Sequence, residues 1–93
     1  MLSSVYGPAM HVEFLGIPRE RAGVAHLELE AATLGQLLDT LVSRFPDLRE
    51  LIVAGSLHPS VVANLNGDAF VRDRRVELTE SDRVLILSAD VGG

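Results

Sequence analysis

The sequence contains no cysteine, and that one absence removes disulfides, thiolate metal sites, side-chain persulfides and thiol nucleophiles together. It contains no lysine either: all 8 basic residues are arginine, so Schiff-base chemistry and a phosphate-loop lysine are excluded. Positive charge is scarce, with 13 Asp and Glu set against those arginines for a formal net charge of -5, and no basic run occurs. A nucleic-acid surface needs clustered cations to neutralise phosphates, so the composition argues against that partner class. No apolar run approaches the ~20 residues of a membrane span, and no charged segment followed by an apolar one opens the chain. The expectation is a cytoplasmic, soluble protein without a membrane partner. Its 93 residues suit one domain that buries roughly 60–65% of its unfolded surface.

What is present is organised by two periods. Residues 1–9, MLSSVYGPA, are small, Gly- and Pro-bearing and without alternation, and read as a flexible extension preceding a domain over 10–93. From Met10 the pattern alternates, with Met10, Val12 and Phe14 facing one way and His11 and Glu13 the other, the signature of a half-buried strand. GIPRERAG over 16–23 reads as a connecting loop. In VAHLELE, Ala25, Leu27 and Leu29 face inward while His26, Glu28 and Glu30 face water, which makes a hairpin partner for the first strand.

The period then lengthens. Leu34, Leu37, Leu38, Leu41, Val42 and Phe45 recur at helical spacing and lay an apolar stripe on one side of an α-helix. Thr33 stands at the N-cap position, Gln36 completes a capping-box pattern, and Pro46 marks the stop. A short helical turn is expected around Leu48, Leu51 and Ile52. VVANLNGDAFV is strand-like and broken at Asn66-Gly67-Asp68, residues that tolerate positive φ in a tight hairpin turn. Arg72–Arg75 reads as solvated linker. After the polar turn Thr79–Asp82, the run Val84-Leu85-Ile86-Leu87 is apolar without alternation, as in a central strand covered on both faces. About five short strands and one long helix define an α+β domain. One helix covers one sheet face, so half of this last strand is left without cover unless the Pro46–Leu57 segment lies over it, and an apolar patch that invites a partner protein is expected beside the chain's end.

Few side chains suggest chemistry. His11, His26 and His58 are too dispersed in sequence to suggest a ligand set, and no metal site is expected. Glu28 and Glu30 share a strand face as a glycosidase pair does, but two glutamates on a solvated face are ordinary. No GxSxG elbow accompanies the serines and histidines. What stands out is the run LILSADVGG. Glycine adds no packing there and costs the most chain entropy to order, and a terminal pair arises by chance in about one chain in two hundred at the usual ~7% glycine. Read functionally, the α-carboxylate of Gly93 is the reactive group: ionised at neutral pH, it attacks the α-phosphorus of ATP held by another enzyme. Two residues without Cβ let the backbone thread a narrow channel to that nucleotide.

The segments FLGIPRERAG, TLGQLLDTLVSRFP, VVANLNGD, ESDRV and the terminal GG, in this order and spacing, resemble the MoaD/ThiS sulfur-carrier family from about Met10 to Gly93. The resemblance implies a β-grasp, ubiquitin-like fold, a mixed sheet packed on one long helix. It implies a protein cosubstrate rather than an enzyme, whose Gly93 is adenylated by an E1-like partner that uses ATP, then converted to a thiocarboxylate that donates sulfur. No cofactor is expected on the carrier itself. The likeness leans toward the small subunit of molybdopterin synthase, which implies that enzyme's large subunit as a second partner; relatives serve thiamine, cysteine or tRNA thiolation. That branch commonly carries two prolines where this chain has Ser88-Ala89-Asp90, and a Gly-Asp turn where it has Ser81-Asp82. A lysine-free ubiquitin-like modifier and a passive β-grasp binding module are the competing readings. For docking, Leu85 and Leu87 or their opposite-facing neighbours are the candidate surface, with Asp90, Val91 and Gly92 leading Gly93 into the partner.

Overall fold

The computed structural model describes residues 9–90. Strand β1, Met10–Leu15, alternates as its sequence does and buries Met10, Val12 and Phe14. A six-residue helix α1, Ile17–Ala22, follows it, and β2, His26–Leu29, returns antiparallel with Met10 opposite Leu29 and Glu13 opposite His26. Helix α2 spans Leu34–Arg44, and a 3₁₀ helix, Pro46–Glu50, continues from it. The short hairpin β3, Ile52–Val53, and β4, Ser56–Leu57, leads into β5, Val61–Leu65, then β6, Ala69–Val71, and β7, Arg83–Ser88. The main sheet has the order β2-β1-β7-β5-β6, and β3–β4 stand apart as a second, two-stranded sheet. β7 runs parallel to β1 and antiparallel to β5, so the last strand is central. This mixed sheet on one long helix is the β-grasp architecture that the resemblance implies.

Helix α2 forms where its leucines and its cap agree. The Thr33 hydroxyl accepts from Gln36 N, the Gln36 side chain accepts from Ala32 N, and two donors that the helix cannot satisfy are thereby met. Leu34, Leu37, Leu38 and Leu41 are fully buried, each worth about 1.5–3 kcal/mol of transfer from water. They meet Val12, Phe14, Val84 and Ile86 from the sheet in one core, with Leu48, Leu51, Ile52 and Leu57 completing it from the same side. Phe45 meets Phe14 edge to face at 6.1 Å. The Pro46–Leu57 segment therefore thickens the covered side of the sheet and does not lie over the other.

Two expectations are corrected. GIPRERAG is not a loop: Pro18 fits a first helical turn, where its missing N–H costs nothing, and Gly23 closes the helix in the left-handed region (φ 79°) with its N–H on Arg19 O at 2.9 Å. The reading of Arg72–Arg75 as solvated linker is corrected only in part: all four residues are exposed, but Arg72 and Arg74 are pinned by their side chains. Arg72 donates to the carbonyls of Val61 and Leu57. Arg74 grips both carboxylate oxygens of Asp39 at 3.0 and 2.9 Å and the Gly55 carbonyl. It lies so close over α2 that a Cβ on the buried Gly35 would come within 2.9 Å of its guanidinium carbon.

A second polar clasp orders the entry to β7. Asp82 accepts from Thr79 N at 2.8 Å and from Asn66 Nδ2 at 2.9 Å, while Asn66 Oδ1 accepts from Arg83 N at 2.8 Å. One carboxylate thus ties the β5–β6 turn to the start of the central strand. These bonds hold the Asp82 carboxyl below its ordinary value of 3.8, the Asn66 side chain contributing first.

Two outcomes follow from this packing. Leu38→Ala removes a fully buried side chain beneath the sheet and costs about 2–5 kcal/mol, read from the urea midpoint at unchanged slope. Because the folded Asp82 is the stronger acid, its contribution is complete above 3.8 and is lost as pH falls through the lower folded value. The stability difference between the parent and Asp82→Asn should therefore be present at neutral pH and narrow as pH drops below 4; a difference independent of pH would remove the carboxylate from this role.

Candidate functional site

The register of the sheet decides which side chains stand on its uncovered face. Leu15 pairs with Leu87, Leu87 with Val62, Leu85 with Asn64 and Asn64 with Phe70. Paired residues point to one side of the pleat, and these are out of phase with the buried Val12, Phe14, Val84 and Ile86. Leu15, Val62 and Leu85, with Phe70 beyond Asn64, thus make up a largely apolar strip on the side opposite α2. Leu15 is 40% and Phe70 63% exposed, and Leu85 is half-buried. Such a strip on a chain this small is the feature by which interaction surfaces are recognised.

Of the two leucines expected to dock, Leu85 contributes to this surface. Leu87 shares the face but is only 6% exposed, and forms the floor of the strip. Leu15, Val62 and Phe70 belong to it and were not foreseen. The signal was present: Leu15 breaks the polar phase of His11 and Glu13, and pairing the strands through Asn66-Gly67-Asp68 sets Phe70 opposite Asn64.

The flank of the strip is polar. On β1 and β2, His11 faces Glu28 and Glu13 faces His26. His11 Nδ1 is bonded to the Glu28 carboxylate, and the His11 and His26 rings are 5.4 Å apart. The fold thus joins two of the three histidines that lie far apart in sequence; His58 is elsewhere, bonded to Ser60. Among the described residues no group of three or more His, Cys, Asp or Glu is placed to hold a metal ion. Toward β5, Glu13, Asn64, Asn66, Gly67, Arg83 and Leu85 line a shallow cleft of about 290 Å³.

At the end of β7 the chain is held before it leaves the sheet. Ser88 is buried, and its hydroxyl accepts from Ile17 N at 3.0 Å, so the strand's last residue supports the first turn of α1. Ala89 N donates to Ser60 O at 2.8 Å. Asp90, exposed, is the last described residue; Val91, Gly92 and Gly93, expected to carry the tail, lie outside the described residues, as do residues 1–8 of the expected extension. Ser88 and Ala89 lie at the end of the sheet where Leu15 and Ile17 are exposed.

This geometry has relatives. The ThiS family model matches residues 12–93. Among solved structures, a chain of the Amycolatopsis orientalis BexX/CysO complex is 27% identical with a TM-score of 0.74, over 91% of this chain and 100% of that one. SAMP1 from Haloferax volcanii is 22% identical with a TM-score of 0.76, over 91% and 99% of the two chains. The putative molybdopterin converting factor subunit 1 from Pyrococcus furiosus is 22% identical with a TM-score of 0.72, over 86% and 95%. No curated protein is matched by sequence. With the family model spanning the sheet, the helix and the glycine tail alike, the chain belongs to the ThiS family of ubiquitin-like sulfur carriers.

Proposed function

We propose that this chain carries sulfur on its own C-terminal carboxyl group. A Gly93 carboxylate oxygen attacks the α-phosphorus of ATP in an E1-like partner, and pyrophosphate leaves. Hydrosulfide then attacks the acyl carbon, the C–O bond to AMP breaks, and Gly93 ends as a thiocarboxylate that donates sulfur onward. The observation that supports this most directly is the placement of β7: the central strand delivers the chain end beside an uncovered apolar strip. A partner that docks on Leu85, Leu15 and Phe70 has the tail root within its reach. Side-chain chemistry is not needed, which suits a chain without cysteine or lysine.

For the acceptor we propose the large subunit of molybdopterin synthase, the reading that the length of the helix and following segment favours and that the fold likeness to the Pyrococcus protein accompanies. The second reading is another sulfur acceptor. It is favoured by the identity to the chain of the Amycolatopsis complex and by Ser88-Ala89-Asp90 in place of two prolines.

Intact-mass measurement after incubation with ATP, an E1-like enzyme and a sulfur source should record first an added AMP and then the replacement of one oxygen by sulfur. Gly93→Val should abolish both at unchanged melting temperature; a loss of fold on that change, or conversion that persists, contradicts the assignment. Leu85→Asp should raise the KM of adenylation roughly tenfold with the fold intact, since a charge then stands at the centre of the docking strip. Supplying the thiocarboxylate form to a molybdopterin synthase large subunit with its precursor separates the two acceptors: dithiolene product supports the first, and an unreacted thiocarboxylate supports the second.

A further inference from the structure

A groove of about 670 Å³ lies at the other end of the sheet, between the β2–α2 connection and the approach to β7. Because β1 and β7 are parallel, both begin at this end and both finish where Asp90 leaves, one strand length or roughly 17 Å away. Glu30, Ala31 and Ala32 form one wall and Leu78, Thr79 and Glu80 the other, with Gln36 of α2 between them. The walls are pinned to each other. Leu78 N donates to Ala32 O and Leu34 N to Val76 O, each at 2.9 Å, and Thr33 bridges to Glu77. The groove is therefore a formed feature of the backbone.

Its chemistry follows from which polar groups are already engaged. The first-turn N–H groups of α2 would ordinarily attract an anion. Here Leu34 N is taken by Val76 O, Gly35 N by Arg74 O and Gln36 N by the Thr33 hydroxyl. Ala32 N goes to the Gln36 side chain and Thr79 N to the Asp82 carboxylate. The first-turn donors are thus engaged, and no basic residue lines the groove. What remains is an apolar floor, Ala31, Ala32 and Leu78, and two acceptor carboxylates, Glu30 and Glu80, both exposed and neither in an ion pair among the described residues.

We propose that this groove docks an arginine side chain from an apolar segment of a protein partner, its aliphatic stem on Ala31, Ala32 and Leu78 and its guanidinium at Glu30 and Glu80. An anion would meet two carboxylates and no cation there, and a purely apolar segment leaves both carboxylates unanswered. Arginine suits the site better than lysine because its planar, weakly hydrated cation loses less on leaving water and presents several donors at once. The site does not depend on the sulfur-carrier reading. Lying a strand length from the tail, it leaves the carrier free to be held here while Gly93 is engaged elsewhere.

The test is a backbone amide titration of the full chain with two capped peptides, acetyl-Gly-Leu-Arg-Leu-Gly-amide and the same peptide with citrulline for arginine. The arginine peptide should shift the Ala31, Ala32, Gln36, Leu78 and Thr79 amides saturably. The Glu30→Gln/Glu80→Gln variant, whose changes are both on exposed side chains, should keep a dispersed spectrum and bind it roughly fivefold more weakly or worse. Added salt should weaken the parent and leave the variant little changed. Equal binding of the citrulline peptide, shifts confined to Leu15, Leu85 and Phe70 on the uncovered face, or no saturable shift at millimolar peptide would each overturn the proposal.

Discussion

The parallel pairing of β1 with β7 is the constraint on which the rest depends. It joins residues about as far apart as the described chain allows, His11 with Arg83 through Leu15 with Leu87, and parallel strands cannot be linked by a tight turn. Everything between them must cross over, and here the crossing elements collect on one side, where α2, the 3₁₀ helix and β3–β4 supply the core. The other side keeps its apolar residues in water. Exposure of Leu15 and Phe70 is thus a consequence of topology rather than a local lapse in patterning, and the same pairing places the outgoing chain at the middle of the sheet edge. Contacts so distant in sequence also make formation of the central pair the slow step expected in folding.

Much of this was legible in the sequence where one period ran long enough. Leu34 to Phe45 holds its spacing over three turns and is flanked by Thr33, Gln36 and Pro46, so local and tertiary preferences agree. Asn66-Gly67-Asp68 marked its turn by positive φ, observed at 58° for Asn66 and 74° for Gly67. Helix α1 was missed because six residues are under two turns, too few for a periodicity, and its Pro and Gly suit a loop as well as a cap. Arg72 and Arg74 were missed because a guanidinium on a carbonyl leaves no pattern in sequence. β3–β4 escaped notice for a related reason: two-residue strands carry no alternation, and Ala54 sits at φ 54°, where sequence gives no warning.

The site was legible in part, and the limit has a physical cause. An apolar run such as Val84–Leu87 announces a central strand but does not say which of its residues remain wet. That depends on register, which joins Leu85 to Asn64 and Phe70 and sets Leu87 beneath its neighbours. Polar positions suffered likewise. His11 and His26, 15 residues apart by their numbering, become neighbours only through the antiparallel pairing of β1 and β2.

Ser88 shows how the framework bears on the proposed chemistry. Where proline would restrict the chain through φ alone, this sequence uses hydrogen bonds: Ser88 Oγ to Ile17 N, then Ala89 N to Ser60 O. The helix that loop-like composition concealed is therefore part of the tail's mounting, since α1 supplies the N–H that Ser88 receives. On the proposed reading, a partner that covers Leu15, Ile17 and Leu85 also covers this mounting, so docking and chemistry share one end of the sheet.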